Sequence, residues 1–247
     1  MRLEFSGKTD IGNQRKMNQD SYGIFQRDEA GLFVVADGMG GYKDGEKASQ
    51  RIVIELSKWW EEFNPALYEN DFSRMMKAIE QVVTYSNQCI FNELNQEEMC
   101  GTTIAILFIF RNMYGIVYAG DSRIYCNHKL NNVQLTTDEV WENQSNLSSR
   151  ERMDMNHPYR GKLTNAIGVK KDVSCKIVTN SLKDNMKFLL CTDGLYKYCS
   201  ERKLFSALRK CKDKKTMNQE MDKLIQSVYD NGAGDNITIV TVCYQEK

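Results

Sequence analysis

The sequence predicts an α+β fold in which two antiparallel β-sheets are each covered by a pair of helices. Three observations lead there. Short apolar runs bounded by turn residues dominate both ends of the chain. One pair of helical patterns follows the first hairpin, and a second pair precedes the last strand. Strands and helices do not alternate as βαβ units, so a parallel sheet is disfavoured. With 247 residues, residues 1–247 are expected to form one domain, because single β-rich domains reach about this length.

Each element has its own justification. Tyr22 to Gln26 and Leu32 to Ala36 are strand-like and flank Asp28-Glu-Ala-Gly31, a hairpin connection. In Gly45 to Phe63, Ala48, Ile52, Leu56, Trp59 and Phe63 recur at helical spacing. Asn64-Pro65 breaks that pattern. A second stripe, Phe72, Met75, Ile79, Val82 and Ile90, runs through Asp71 to Leu94. These stripes read as core faces.

Strands return at Thr102 to Phe110, Gly115 to Ala119, Arg123 to His128 and Val133 to Leu135. They are joined at Arg111-Asn112, Gly120-Asp121-Ser122 and Asn131-Asn132, all turn-like sequences. From Glu139 to Gly161 the pattern dissolves into a polar stretch. Strands resume at Leu163 to Ile167, Val173 to Val178 and Met186 to Cys191. Helices near Glu201 to Lys210 and Thr216 to Tyr229 then precede a last strand, Asn236 to Tyr244.

Composition excludes several classes. Lys plus Arg and Asp plus Glu balance at 33 each, so no net charge draws the protein to nucleic acid or an anionic membrane. The N-terminal segment has no apolar core of signal-peptide length. The longest apolar run, Ile104 to Phe110, is about a third of a membrane span. A cytoplasmic, monomeric protein without nucleic-acid or membrane partners is expected. None of the eight cysteines forms a Cys-x-x-Cys pair, so reduced, packed thiols are expected and a zinc site is not. The two histidines, His128 and His157, form no local catalytic motif. That leaves carboxylate chemistry.

Asp37, Asp193 and Asp235 each stand where an apolar run meets glycine: Phe33-Val-Val-Ala-Asp37-Gly, Phe188-Leu-Leu-Cys-Thr-Asp193-Gly, and Gly234-Asp235-Asn before Ile237. Converging at one end of a sheet, they could hold a hard divalent cation through oxygen. Singly, each is better explained as a turn, since Asp-Gly after a strand is a strong turn sequence.

An ordered set of segments changes that weighting. They are Gly12-Asn-Gln-Arg15-Lys-Met-Asn18-Gln-Asp20, Asp37-Gly-Met-Gly-Gly41, Gly101-Thr-Thr103 and Gly120-Asp-Ser-Arg123. Leu135-Thr-Thr-Asp138, Leu163-Thr-Asn-Ala-Ile-Gly168, Asp193-Gly-Leu195 and Gly234-Asp-Asn-Ile-Thr238 follow. The set resembles the metal-dependent Ser/Thr protein phosphatase family of the protein phosphatase 2C type, in its bacterial form, over residues 10 to 240. The resemblance implies a four-layer αββα sandwich and a site for two Mn²⁺ or Mg²⁺ ions. Asp37 matches the bridging ligand, Gly38 a carbonyl ligand, and Asp193 and Asp235 the remaining direct ligands. Arg15 matches the arginine that grips the substrate phosphate. Asp20 matches a residue beside the metals with a catalytic role. Gln19, Asp121 and Asn236 match positions around the metal shell.

The implied activity is hydrolysis of phosphoserine and phosphothreonine in proteins, by attack of a metal-bound hydroxide without a phosphoenzyme. The substrates would be those of a Ser/Thr kinase in the same cell. The physics agrees: two cations about 4 Å apart acidify a water and stabilise phosphoryl charge, and an arginine fork matches two phosphate oxygens. A non-catalytic relative using the fold as a binding module, or a hydrolase of small phosphoesters, are the alternatives; retention of all three aspartates favours catalysis.

Four positions depart from the family's pattern. Gln19 stands where many members carry glutamate, Met39 where eukaryotic members carry histidine, and Asn165 where arginine is frequent. Lys197 stands where many relatives carry an acid that helps hold a third metal with the Asp121 equivalent, so the third ion is in doubt. Its ammonium is expected to pair with Asp121 or Asp193, or else to point to solvent.

Overall fold

The structure is a computed structural model, and it describes residues 2–40, 44–94 and 99–246. Gly41, the last residue of the Asp37 motif, lies outside them. One sheet has the order β1 (Arg2–Asp10), β11 (Ile237–Gln245), β10 (Lys187–Cys191), β7 (Arg123–His128) and β8 (Asn131–Gln134). The other runs β2 (Asp20–Arg27), β3 (Ala30–Met39), β5 (Ile104–Phe110), β6 (Met113–Ala119) and β9 (Lys176–Ser181), with the short β4 (Gly101–Thr102) also on β3. Every pairing is antiparallel. Helices α1 (Gly45–Glu62) and α2 (Phe72–Leu94) cover the second sheet, while α5 (Glu201–Lys210) and α6 (Lys214–Asp230) cover the first. The expected αββα sandwich is the observed fold.

Strand periodicity explains the layering. Every residue of β5 is buried. Ile104, Ile106, Phe108 and Phe110 face α1 and α2, whereas Ala105, Leu107 and Ile109 face the space between the sheets. In β10, Leu189 and Cys191 join the core under α5 and α6, and Phe188 and Leu190 the central one. Strands apolar on both faces are what a sheet at the middle of four layers requires. Each large side chain so buried is worth about 1.5–3 kcal/mol. The helix stripes dock as expected, with two shifts: Trp60 is buried where Trp59 is partly so, and Val83 where Val82 is partly so.

Several expectations need correction. Strand β1 has no counterpart in the sequence reading, because its exposed edge residues dilute the apolar alternation of Leu3 and Phe5. Leu163 to Ile167 is not a strand; it makes only the isolated bridges Val140↔Leu163 and Thr102↔Ile167. The strand expected at Val173 to Val178 begins at Lys176. The hairpin after His128 turns at Lys129, which takes φ 56°, so β8 starts at Asn131. The polar stretch holds a short helix, α3 (Ser149–Met153), whose Ser148 and Glu151 form a reciprocal capping box. Among the described residues no disulfide is formed, and no helix is long and apolar enough to cross a membrane.

Candidate active site

The two sheets meet where β2, β3, β10 and β11 bring their chain ends together. Asp20 lies directly across from Asp37 in the β2–β3 register. The Asp20 carboxylate accepts from Thr192 Oγ1 at 2.7 Å, and Thr192 Oγ1 accepts from the Thr238 amide at 3.0 Å. One threonine thus ties the first strand of one sheet to the central strands of the other. Asp193 opens a one-turn helix, α4 (Asp193–Tyr196), immediately after β10. Asp235 immediately precedes Asn236 and β11.

The resulting cavity, of about 300 Å³, is lined by Arg15, Gln19, Asp37, Gly38, Asp121, Asp193, Lys197 and Asp235, with Met39, Gly40, Thr103, Gly161 and Leu163 completing its wall. Residues separated by most of the chain length are therefore neighbours. Asp20 and Asn236 are buried and are not part of this lining. Asn236 fastens the Ile11-to-Gln19 loop: its Nδ2 donates to the carbonyls of Ile11 (2.9 Å) and Met17 (3.1 Å), and its Oδ1 accepts from the Gln19 amide (2.9 Å). The Gln19 carbonyl in turn accepts from the Gly38 amide at 3.1 Å. Gly38 has no alternative there, because a Cβ would sit 2.1 Å from the Gly45 carbonyl oxygen and 2.5 Å from that of Gln19.

Residues within the family-like segments to which no role was assigned, together with Tyr196 outside them, hold the frame. The Thr102 hydroxyl (3.0 Å) and the Thr103 amide (2.9 Å) both donate to the Asp37 carbonyl, and Thr103 Oγ1 hydrogen-bonds Ser122 at 2.7 Å. The Tyr196 hydroxyl donates to the Asp121 carbonyl and carboxylate, at 3.1 and 3.2 Å. Its ring lies 3.6 Å beneath the Arg123 guanidinium, which forks onto Asp138. Tyr196 follows Asp193 by three residues on one helical turn, a spacing readable in the sequence but without a motif to draw attention to it.

Carboxylates crowd this cavity. Burial and the neighbouring aspartates push Asp37 well above the ordinary carboxylate range. Burial, countered by hydrogen bonds from Thr192 and Thr238, raises Asp20 to about 7. Burial and the charge of Asp193 raise Asp121 to about 6. Among the described residues, two cations, Arg15 and Lys197, share the cavity lining. The Arg15 guanidinium forks onto Asp235, Nε to Oδ1 and Nη2 to Oδ2, each at 2.8 Å, a bond that raises its already high pKa. The Lys197 ammonium pairs with Asp193 Oδ2, one of the two partners expected for it. Burial works against the ammonium, but Asp193 and then Asp121 outweigh it and raise its pKa. The other Asp193 oxygen, Oδ1, is buried with no hydrogen-bond partner.

Among the described residues, no three His, Cys, Asp or Glu side chains already stand as a metal-ligand group. The reason is visible: Asp235 is turned onto Arg15 and Asp193 onto Lys197. The donor set still fits a hard divalent cation. Four aspartates, one with an orphaned buried oxygen, face two side-chain cations in the lining, and the described lining residues include no thiol or imidazole.

Comparison with known proteins agrees with this geometry. Residues 7–234 match the family described as Protein phosphatase 2C. The chain is 32% identical to a serine/threonine phosphatase, stp, of Listeria monocytogenes, over 98% of this chain and 95% of the relative. The structure of a Streptococcus agalactiae serine/threonine phosphatase superposes with a TM-score of 0.86 at 26% identity, covering 99% of this chain and all of that one (100%). The catalytic domain of the serine/threonine protein phosphatase PstP, solved with two manganese ions, superposes with a TM-score of 0.79 over 99% of each chain. At 24% identity, that last likeness is one of fold. The match spans most of the chain and every residue lining the cavity except Asp235: the protein belongs to the protein phosphatase 2C family.

Proposed function

We propose that the protein is a divalent-metal-dependent phosphatase that hydrolyses phosphoserine and phosphothreonine in proteins, acting as one catalytic domain over residues 1–247. The observation that carries this reading is the cavity at the junction of the two sheets, where four aspartates face two cations and a buried Asp193 oxygen has no partner. Asp37, Asp193 and Asp235, with the Gly38 carbonyl, are the groups that would hold two Mn²⁺ or Mg²⁺ ions. Such ions supply an acidified water and neutralise charge on the phosphoryl oxygens. The chain's own part is positional. Asp20, buried behind Asp37 and held by Thr192, keeps the carboxylate pair rigid. Arg15, half exposed at the rim and forked onto Asp235, would offer the same planar fork to a phosphate, with Asp235 among the groups that would hold a metal. Met39 carries no proton, so the leaving alcohol takes its proton from water or an aspartate. A cytoplasmic setting and substrates supplied by a Ser/Thr kinase follow from this reading.

The test is phosphate release from a phosphothreonine peptide, compared with small phosphate esters. Mn²⁺-dependent release from the peptide, abolished by EDTA, is expected. Preference for the small esters would favour a small-phosphoester hydrolase, and no release from either would favour a binding module.

Metal binding should also appear in stability. Asp20, Asp37 and Asp121 all have folded-state pKa values raised above their unfolded ones. Their contribution to the metal-free fold is therefore complete below about pH 4; that of Asp121 is lost as pH climbs through about 6 and that of Asp20 through about 7, and that of Asp37 is lost well above the ordinary carboxylate range. Divalent ions need the ionised carboxylates and relieve this loss. The rise in Tm on adding Mn²⁺ is expected to be about 5 °C larger at pH 8 than at pH 5.5, measured by thermal unfolding against an EDTA control.

Lys197 sets the number of ions. An ammonium on Asp193 with Asp121 close by supplies the positive charge that a third cation would bring. Lys197→Asp is expected to admit a further Mn²⁺ and to change the Mn²⁺ dependence of activity. An unchanged dependence rejects this role.

A further inference from the structure

We infer that Glu139 is a positioning residue that fastens the root of the polar stretch, residues 140–163, to the cavity wall. Three donors converge on its carboxylate. Oε2 accepts from the Gly120 amide at 3.0 Å and from Asn165 Nδ2 at 2.8 Å, while Oε1 lies 3.5 Å from Lys176 Nζ. Its backbone makes the same connections: the Glu139 amide donates to the Gly120 carbonyl at 3.0 Å, and its carbonyl accepts from the Thr164 amide (2.8 Å) and hydroxyl (2.9 Å). The side chain is 11% exposed, so these bonds are shielded from competing water.

The two sides of this junction differ in how firmly they are otherwise held. Gly120 turns at φ +100°, where an added Cβ would lie 2.7 Å from Thr103, and the following Asp121 is clamped by Tyr196. That turn keeps its shape without Glu139. The stretch between residues 140 and 163 is tied mostly to itself, by the Val140–Leu163 bridge, the Trp141 amide to the Lys162 carbonyl, the Gly161 amide to Glu142 (2.8 Å), the stacked Trp141 and His157 rings and a five-residue helix. Outward, Asn143 Nδ2 donates to the Asp138 carbonyl at 2.9 Å. Its returning segment supplies Gly161 and Leu163 to the cavity. Glu139 is thus the side chain that registers a loosely held cavity wall against a rigid one. Asn165, with no role apparent from sequence, is the amide that completes the junction, since its Nδ2 also donates to the Ser174 carbonyl at 2.8 Å.

The inference rests on the proposed phosphatase reading in one respect: a phosphopeptide would extend past the cavity onto residues 140–163, whereas a small phosphoester would not. Glu139→Ala is expected to raise KM for a phosphothreonine peptide about tenfold, as loss of one or two charge-assisted bonds would. The kcat/KM for p-nitrophenyl phosphate should stay within about threefold of wild type. Glu139→Gln keeps an oxygen for Gly120 and Asn165 and loses only the contact to the half-exposed Lys176, so it should restore both values. A readout independent of activity is amide hydrogen exchange of the metal-free protein. Protection should fall across residues 140–163 in Glu139→Ala, and not in the β5 core or in Glu139→Gln. Unchanged exchange across that stretch, an unchanged peptide KM, or equal losses on both substrates would overturn the assignment. A wild-type protein inactive on both substrates would count against the phosphatase reading alone, and the exchange experiment would still decide the role of Glu139.

Discussion

Replacing Asp37 with asparagine is expected to lower phosphopeptide hydrolysis about a thousandfold or more, equivalent to at least about 4 kcal/mol of transition-state stabilisation. The change is nearly isosteric, and it removes the one carboxylate proposed to serve both ions. The same substitution is expected to stabilise the metal-free protein. Asp37 is pushed upward first by burial and then by Asp20, Asp193, Asp121 and Asp235. A neutral amide escapes both costs. At pH 8 with EDTA, the Tm of Asp37→Asn should exceed that of wild type by about 3 °C or more. Lost activity together with gained stability separates a ligand from a structural residue, for which both would fall. Activity assays with Mn²⁺ and thermal unfolding in EDTA provide the two measurements.

Arg15→Ala is expected to have the second largest effect. The guanidinium is half exposed at the cavity rim and makes its two side-chain bonds to one carboxylate. Replacing it removes a charged, bidentate partner for phosphate, which is worth about 1.5–3 kcal/mol, or about tenfold to a hundredfold in KM. The kcat should fall less, since the fork binds the phosphate in the ground state as well as in the transition state. Arg15→Lys should recover little, because an ammonium is a point donor and cannot span two oxygens. Steady-state kinetics on a phosphothreonine peptide separate these terms. A KM unchanged in Arg15→Ala would assign the residue to its ion pair with Asp235 instead.

The parts of the fold that were legible in the sequence are those with a two-sided physical constraint. β5 and β10 are buried on both faces, so unbroken apolar runs betray them. α1 and α2 carry their stripes because one face meets a sheet and the other meets water. β1 was hidden because an edge strand with one partner needs only a few inward side chains. Leu163 to Ile167 misled for the opposite reason: its apolar residues are packed between the cavity and α2 without a ladder partner.

The candidate site divides along the same line. Asp37, Asp193 and Asp235 stood out as carboxylates where apolar runs end, but singly they read as turns; the ordered segments around them, resembling the phosphatase family, marked them as ligands. Their present partners were not all legible. Sequence named Asp193 as one possible partner for Lys197, but the pairing of Arg15 with Asp235 spans 220 positions and depends on how the Ile11-to-Gln19 loop is fastened by Asn236. Tyr196 and Glu139 escaped notice because their work is done through hydrogen bonds to backbone and side-chain groups brought close only by the packed sheets.

The central claim is that these carboxylates hold two divalent ions, and calorimetric titration of the metal-free protein with Mn²⁺ at pH 7.5 tests it most directly. The account predicts two ions per chain for wild type, with binding that weakens as pH falls toward 5.5, and at most one weakly bound ion for Asp37→Asn. Equal stoichiometry and affinity in the two proteins would contradict it.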